Sequence, residues 1–151
     1  MGPQTLVAMD VVQLFSSISN ELGKEALSYW FNKYPEKFIR NFNKDFTLEL
    51  INFIQDNVYF TFNDIIYKQL EGTATGKSQA PQYANLTLAY LVIEKLCPII
   101  EEKYESEAST HIKEQLLFFL DDGFMTLNEK LITAAELLNL LNSLDIKFTM
   151  N

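Results

Sequence analysis

Leu116-Leu117-Phe118-Phe119-Leu120-Asp121-Asp122-Gly123-Phe124-Met125 is the stretch whose reading decides the fold. Five apolar residues run into Asp-Asp-Gly, and Phe-Met-Thr-Leu follows, which reads as a strand, a tight turn and a second strand. Asp-Gly supplies the positive φ that a two-residue hairpin turn needs, so both carboxylates are expected at a hairpin tip. Two meanings attach to such a tip. Asp favours turns through its own hydrogen-bonding chemistry, while carboxylates on rigid strand ends also suit a hard divalent cation such as Mg²⁺. A third carboxylate elsewhere in the chain separates the two.

The rest of the chain sets the bounds. Its 151 residues suffice for about one domain with a core, and 48% apolar content without low-complexity tracts indicates a globular chain. No apolar run approaches the roughly 20 residues of a membrane span. Met1-Gly2-Pro3-Gln4 carries no basic region ahead of an apolar one, so neither an anchor nor a secretory signal is expected. The expected location is intracellular, in nucleus or cytoplasm, and not secreted. Cys97 is the single cysteine; followed by Pro98 at the expected end of an apolar helix, it reads as a buried reduced thiol. One cysteine and one histidine leave too few ligands for a zinc site. Twelve basic against twenty acidic residues give a net charge of −8, which taken alone argues against binding nucleic acid through Lys and Arg on phosphates.

Leu6 to Val12 is an apolar run with Asp10 inside it. An Asp in a buried strand is costly unless it sits at the strand end or binds something, so ligand and helix-capping roles both stand for Asp10. A helix is expected from an N-cap at Ser19 or Asn20 through Trp30 and Phe31, interrupted at Pro35. Phe38 to Phe42 reads as a short helix or loop, and Thr47 to Ile54 as a helix capped near Asp45 or Thr47. Val58–Phe62 and Ile65–Gln69, separated by Asn63-Asp64, have the aromatic and β-branched content of a hairpin. Gly72 to Gly76 reads as a flexible loop. Ala84, Leu88, Leu91 and Val92 recur at helical spacing from Pro81 to Lys95, in a helix expected to close near Pro98. Leu131 to Leu144 reads as an amphipathic helix and Ile146 to Met150 as a final strand. The element order predicts an α+β fold, one mainly antiparallel sheet with helices packed on one face, in a single domain over residues 1–151.

Four segments in this order resemble one family. Ala8-Met9-Asp10-Val11-Val12-Gln13-Leu14-Phe15-Ser16-Ser17-Ile18 is similar to the first palm motif of reverse transcriptases, an Asp-Val pair followed by Leu-Tyr-Thr-x-Ile-Pro. Tyr67-Lys68-Gln69-Leu70-Glu71-Gly72-Thr73-Ala74-Thr75-Gly76, with Pro81, Ala84 and Asn85, resembles the second, a Tyr-x-Gln-x-x-Gly-x-Ala-x-Gly loop leading into a helix. Phe119-Leu120-Asp121-Asp122 fills the third, and Leu141-Asn142 with Ile146-Lys147-Phe148-Thr149 resembles the segment after it. The likeness runs nearly end to end and is nearest to the Penelope-like retroelement group. Lys77-Ser78-Gln79 departs from the family's Ser-Pro-Leu, and Ser19 stands where Pro is typical.

The resemblance implies a palm-like sheet and RNA-directed DNA polymerase chemistry. A primer 3′-hydroxyl attacks a dNTP and pyrophosphate leaves, with two Mg²⁺ ions, for which Mn²⁺ can substitute, stabilising both oxygens. It implies that Asp10 and Asp121 bridge the ions, that Asp122 supports them, and that the Val11 carbonyl is a further ligand. Phe15 would stand at the sugar 2′ position and exclude ribonucleotides. Gln69 and the loop from Gly72 to Gly76 would lie along nucleotide and template. The implied partners are RNA template, DNA primer, dNTP, and the fingers and thumb segments of a longer polypeptide, without which the fragment is expected to be inactive. Two other readings compete. One is a P-loop ATPase built on Gly72-Thr73-Ala74-Thr75-Gly76-Lys77-Ser78, which has three residues between its glycines where that motif needs four. The other is a palm-like fragment that does not catalyse.

Overall fold

Alternation between two faces makes Gln4–Val11 a strand, β1, in which Val7, Met9 and Val11 are buried while Leu6, Ala8 and Asp10 face out. The computed structural model describes residues 4–38 and 41–150. The reading of Met1 to Pro3 therefore falls outside the described residues, as does the middle of the Phe38 to Phe42 segment. After β1, Gln13 takes a left-handed conformation and the chain turns into α1 (Leu14–Ser17), where the Ser17 hydroxyl donates to the Val12 carbonyl at 2.8 Å. α2 (Asn20–Lys33) starts as expected, with the Ser19 hydroxyl accepting from the Leu22 N–H at 3.2 Å.

α3 (Lys44–Asp56) begins earlier than expected. Asn43, rather than Asp45 or Thr47, caps it by accepting from the Phe46 N–H at 2.9 Å. β2 (Tyr59–Phe62) and β3 (Ile65–Lys68) form the expected hairpin, with Asn63 and Asp64 both at positive φ, as a primed two-residue turn requires. The hairpin is a two-stranded sheet of its own, a correction to the expectation of one sheet. α4 (Ala80–Tyr90) runs through a wide π turn at Leu91–Leu96 into α5 (Cys97–Tyr104), so Pro98 does not end the helix. The Cys97 N–H reaches five residues back to the Val92 carbonyl, and this widened turn accommodates a proline ring and its missing donor within a continuing helix. The uninterrupted stretch Ala80–Tyr104 is 25 residues, long and apolar enough to cross a membrane by length and composition, and 56% of its most apolar window is buried inside the protein.

Glu105 at positive φ turns the chain into α6 (Ser106–Gln115), a helix with no counterpart in the sequence reading. β4 (Leu117–Phe119) and β5 (Asp122–Asn128) follow. α7 (Ala134–Leu141) is shorter than the expected Leu131–Leu144 because Thr133 and Glu136 form a reciprocal capping box, and β6 (Phe148–Met150) closes the chain. The larger sheet is antiparallel throughout, in the order β4-β5-β1-β6. Its inner face, with Val7, Met9, Val11, Met125, Leu127 and Phe148, packs on Leu14, Leu88, Leu91, Leu96, Ile112 and Leu137 of the helices in one core. The opposite face is bare and carries Leu6, Leu117, Phe119 and Phe124 at 53–77% exposure. The fold is α+β with helices on one side of the principal sheet.

Candidate active site

Register builds the site. β1 pairs with β5 from Gln4↔Asn128 to Asp10↔Asp122, so Asp10 and Asp122 are directly opposed at the end of the ladder on the bare face. Asp121 belongs to the turn before β5, and its carbonyl accepts from the Val11 N–H at 2.8 Å, which clamps the strand end to the turn. Val11 itself is 1% exposed, its side chain in the core beside Phe148 of β6. The tip departs from the expected geometry. The two turn residues are Leu120, at φ 57°, and Asp121; Gly123 lies within β5. A Cβ on Gly123 would stand 2.6 Å from Met9 Cγ and 2.6 Å from Phe118 Cε1, so this glycine serves close packing under the sheet rather than the turn.

Like charges directly opposite on a sheet repel, and Asp is a poor strand former. Among the described residues none of the three carboxylates enters an ion pair. Nor, among those residues, do any three His, Cys, Asp or Glu side chains form a ready-made metal cage. Asp10, Asp121 and Asp122 nevertheless place exposed carboxylates, the ligand type that hard divalent cations take, near one strand end, and a cation there would relieve the Asp10–Asp122 repulsion.

Asp121 also lines a cleft of about 670 Å³ shared with Phe15, Phe60, Gln69, Glu71 and Thr73. Phe15, half-buried against the core, stands on α1. Its carbonyl accepts from the Thr73 N–H at 2.7 Å, so the glycine loop is docked on α1 rather than free, a correction to the expected flexible loop. Gly72 is required twice there: its φ is +83°, and a Cβ would lie 2.9 Å from Ser16 Cα and 3.2 Å from the Phe15 carbonyl oxygen. Gly76, at φ +86°, has open space around it and needs glycine for its backbone conformation alone. Gln69 donates from Nε2 to the carbonyls of Glu71 (2.9 Å) and Gly72 (3.0 Å), holding the loop from the cleft side. Thr73, 3% exposed, accepts from Gln55 at 3.4 Å and so ties the loop to α3.

The structure thus gathers Asp10, Val11, Asp121 and Asp122 at the strand end, and Phe15, Gln69 and Gly72 around the adjoining cleft, with Gly76 further along the loop. Phe60 and Glu71 are among the lining residues that sequence reasoning missed. Phe60 was visible only as one aromatic of a hairpin, and Glu71 only as an acid inside a glycine loop. No Lys or Arg lines the cleft among the described residues. The P-loop geometry is not met: among the described residues the strand before the glycine loop, β3, pairs only with β2, whereas the strand that would have to hold the metal beside it, Leu117–Phe119 leading to Asp121, lies in the other sheet. No family model, curated protein or solved structure matches the chain.

Proposed function

We propose that this chain is the palm of a reverse transcriptase, which joins a dNTP to a primer 3′-hydroxyl on an RNA template. The observation that carries the reading is the β1–β5 register, which opposes Asp10 to Asp122 on the outer face beside Asp121 and the cleft. Asp10 and Asp121 would hold two Mg²⁺ ions, with Asp122 and the Val11 carbonyl as further oxygens. Bound there, such ions lower the barrier to in-line displacement by stabilising the attacking and leaving oxygens. The chain's own residues do the rest. Phe15 blocks the sugar 2′ position, and Gln69 keeps the Gly72 loop against α1 so that its backbone approaches nucleotide and template. Among the described residues the cleft lining offers the triphosphate no Lys or Arg, so Mg²⁺ would carry it in binding, while turnover needs a basic fingers segment as partner, without which the chain is expected to be inactive.

The test is a Mn²⁺ titration of the chain followed by backbone NMR line broadening. Broadening centred jointly on Asp10 and on Asp121-Asp122, and abolished in Asp10→Asn, is the expected result. Broadening confined to Gly72 through Ser78, or scattered over surface acids, overturns the assignment.

A further inference from the structure

The cleft poses a recognition problem of its own. Its lining includes the acidic residues Asp121 and Glu71 and, among the described residues, no Lys or Arg, so phosphates alone are disfavoured until divalent cations accompany them. What remains to attract a nucleotide is its base. Phe15 is half-buried and packs against the core. Phe60 is different: it lines the same cleft from the β2–β3 hairpin and is 51% exposed. Its ring is backed by Tyr67, its direct cross-strand partner, with centroids 5.5 Å apart and planes 18° from parallel. One face is therefore held and the rest is open, which is how an aromatic stacking platform is built.

We propose that Phe60 is the base-stacking residue of the cleft, a positioning residue that gives the nucleotide affinity through its nucleobase while divalent cations held by the carboxylates would neutralise its phosphates. The inference rests on the polymerase reading for the identity of the ligand. Stacking on one aromatic is worth roughly 1–3 kcal/mol per base, or about 5- to 150-fold in affinity.

The experiment uses the chain itself, Mg²⁺, the deoxyribonucleoside triphosphate of 2-aminopurine, whose fluorescence is quenched by stacking, and inorganic tripolyphosphate as a base-free competitor. Wild type is expected to quench the fluorophore in a Mg²⁺-dependent titration. Phe60→Leu is expected to lose most of the quench and to bind about tenfold more weakly, while Phe60→Tyr, which keeps the ring, behaves as wild type. Tripolyphosphate binding should be equal in all three, which separates a local effect from a misfolded hairpin. Equal quenching and affinity in wild type and Phe60→Leu overturns the stacking role and leaves the polymerase reading intact. If wild type binds neither the nucleotide nor tripolyphosphate with Mg²⁺, the cleft is not a nucleotide site and both fall together.

Discussion

Replacing Asp10 by Asn should make the protein more stable without divalent ions and less stable with them. Asp10 and Asp122 are opposed in register on the solvent-facing side of the sheet. Directly opposed side chains on antiparallel strands lie about 5 Å apart. At that separation two unit charges in a water-like dielectric repel by about 0.8 kcal/mol. Allowing for the exposure of both groups and for salt screening, about 0.5 kcal/mol is released when one charge is removed. For a chain of this length 1 kcal/mol moves Tm by about 2–4 °C, so Asp10→Asn in EDTA should melt about 1–2 °C above wild type. Mg²⁺ at ten times its Kd would stabilise wild type by about 1.4 kcal/mol through mass action, or about 3–6 °C, and the variant by much less. The two melting curves therefore exchange order between EDTA and saturating Mg²⁺, and differential scanning calorimetry across a Mg²⁺ series reads this directly. A variant that melts lower in both conditions, or that gains as much from Mg²⁺ as wild type, refutes the idea that this pair is a cation site held in electrostatic tension.

Other parts of the structure give independent tests. Gly72→Ala and Gly76→Ala share a left-handed φ, but only the first sets a Cβ against backbone at 2.9 Å, so urea denaturation should show a loss of about 1 kcal/mol for Gly76→Ala and about 2–3 kcal/mol for Gly72→Ala; equal losses would mean that the loop is not docked on α1. Burial pushes the Cys97 thiol up, and the residue is fully enclosed, so iodoacetamide at pH 8 should label it only as fast as the protein unfolds; labelling at the rate of a free thiol would show that the π turn opens readily. Hydrogen bonding by Lys33 and then Tyr29 holds the Glu94 carboxyl below its ordinary 4.5, and Tyr90 and Lys95 do the same for Glu25. Both groups have folded values below their unfolded ones, so their contribution is present above about pH 4.5 and is lost as pH falls through the lowered values. Glu94→Gln should flatten the acid limb of the stability profile by less than about 1 kcal/mol, because the Lys33–Glu94 pair lies at the surface with its side chains 38% and 27% exposed, and an unchanged limb would discount the pair altogether.

Much of the fold was legible because local chemistry and tertiary packing agreed. The strand at β1, the Ser19 cap and the Asn63-Asp64 turn each follow from residues that act within a few positions of themselves, although β1 was expected to be a buried strand and instead exposes Leu6 and Ala8 on one face. The misreadings share a cause in distance. Pro98 is a helix breaker only when the turn before it is an ordinary α turn, and nothing local announces that Leu91–Leu96 widens into a π turn. α6 buries just Ala108, Ser109 and Ile112, too sparse a stripe for periodicity to register against a polar background. That β2 and β3 pair, among the described residues, only with each other was hidden as well: such a hairpin reads the same in sequence whether it joins a larger sheet or stands alone.

The site was legible in its residues and misread in its backbone, and the misreading has consequences for mechanism. Asp-Asp-Gly suggested one turn holding both acids, with the glycine at the bend. Instead Leu120 and Asp121 make the turn, and Gly123 is spent on the approach of Met9 and Phe118 beneath the sheet. The two neighbouring acids therefore stand in different places, Asp121 in the turn and at the cleft, Asp122 in the ladder opposite Asp10. A one-residue slip of β1 would send Asp10 to the inner face and Met9 outward, since side chains alternate along a strand. The bond from Val11 to the Asp121 carbonyl, the close fit of Met9 against Gly123 and the core positions of Val7 and Val11 all resist that slip. The packing of the buried face thus determines which carboxylates meet on the exposed one.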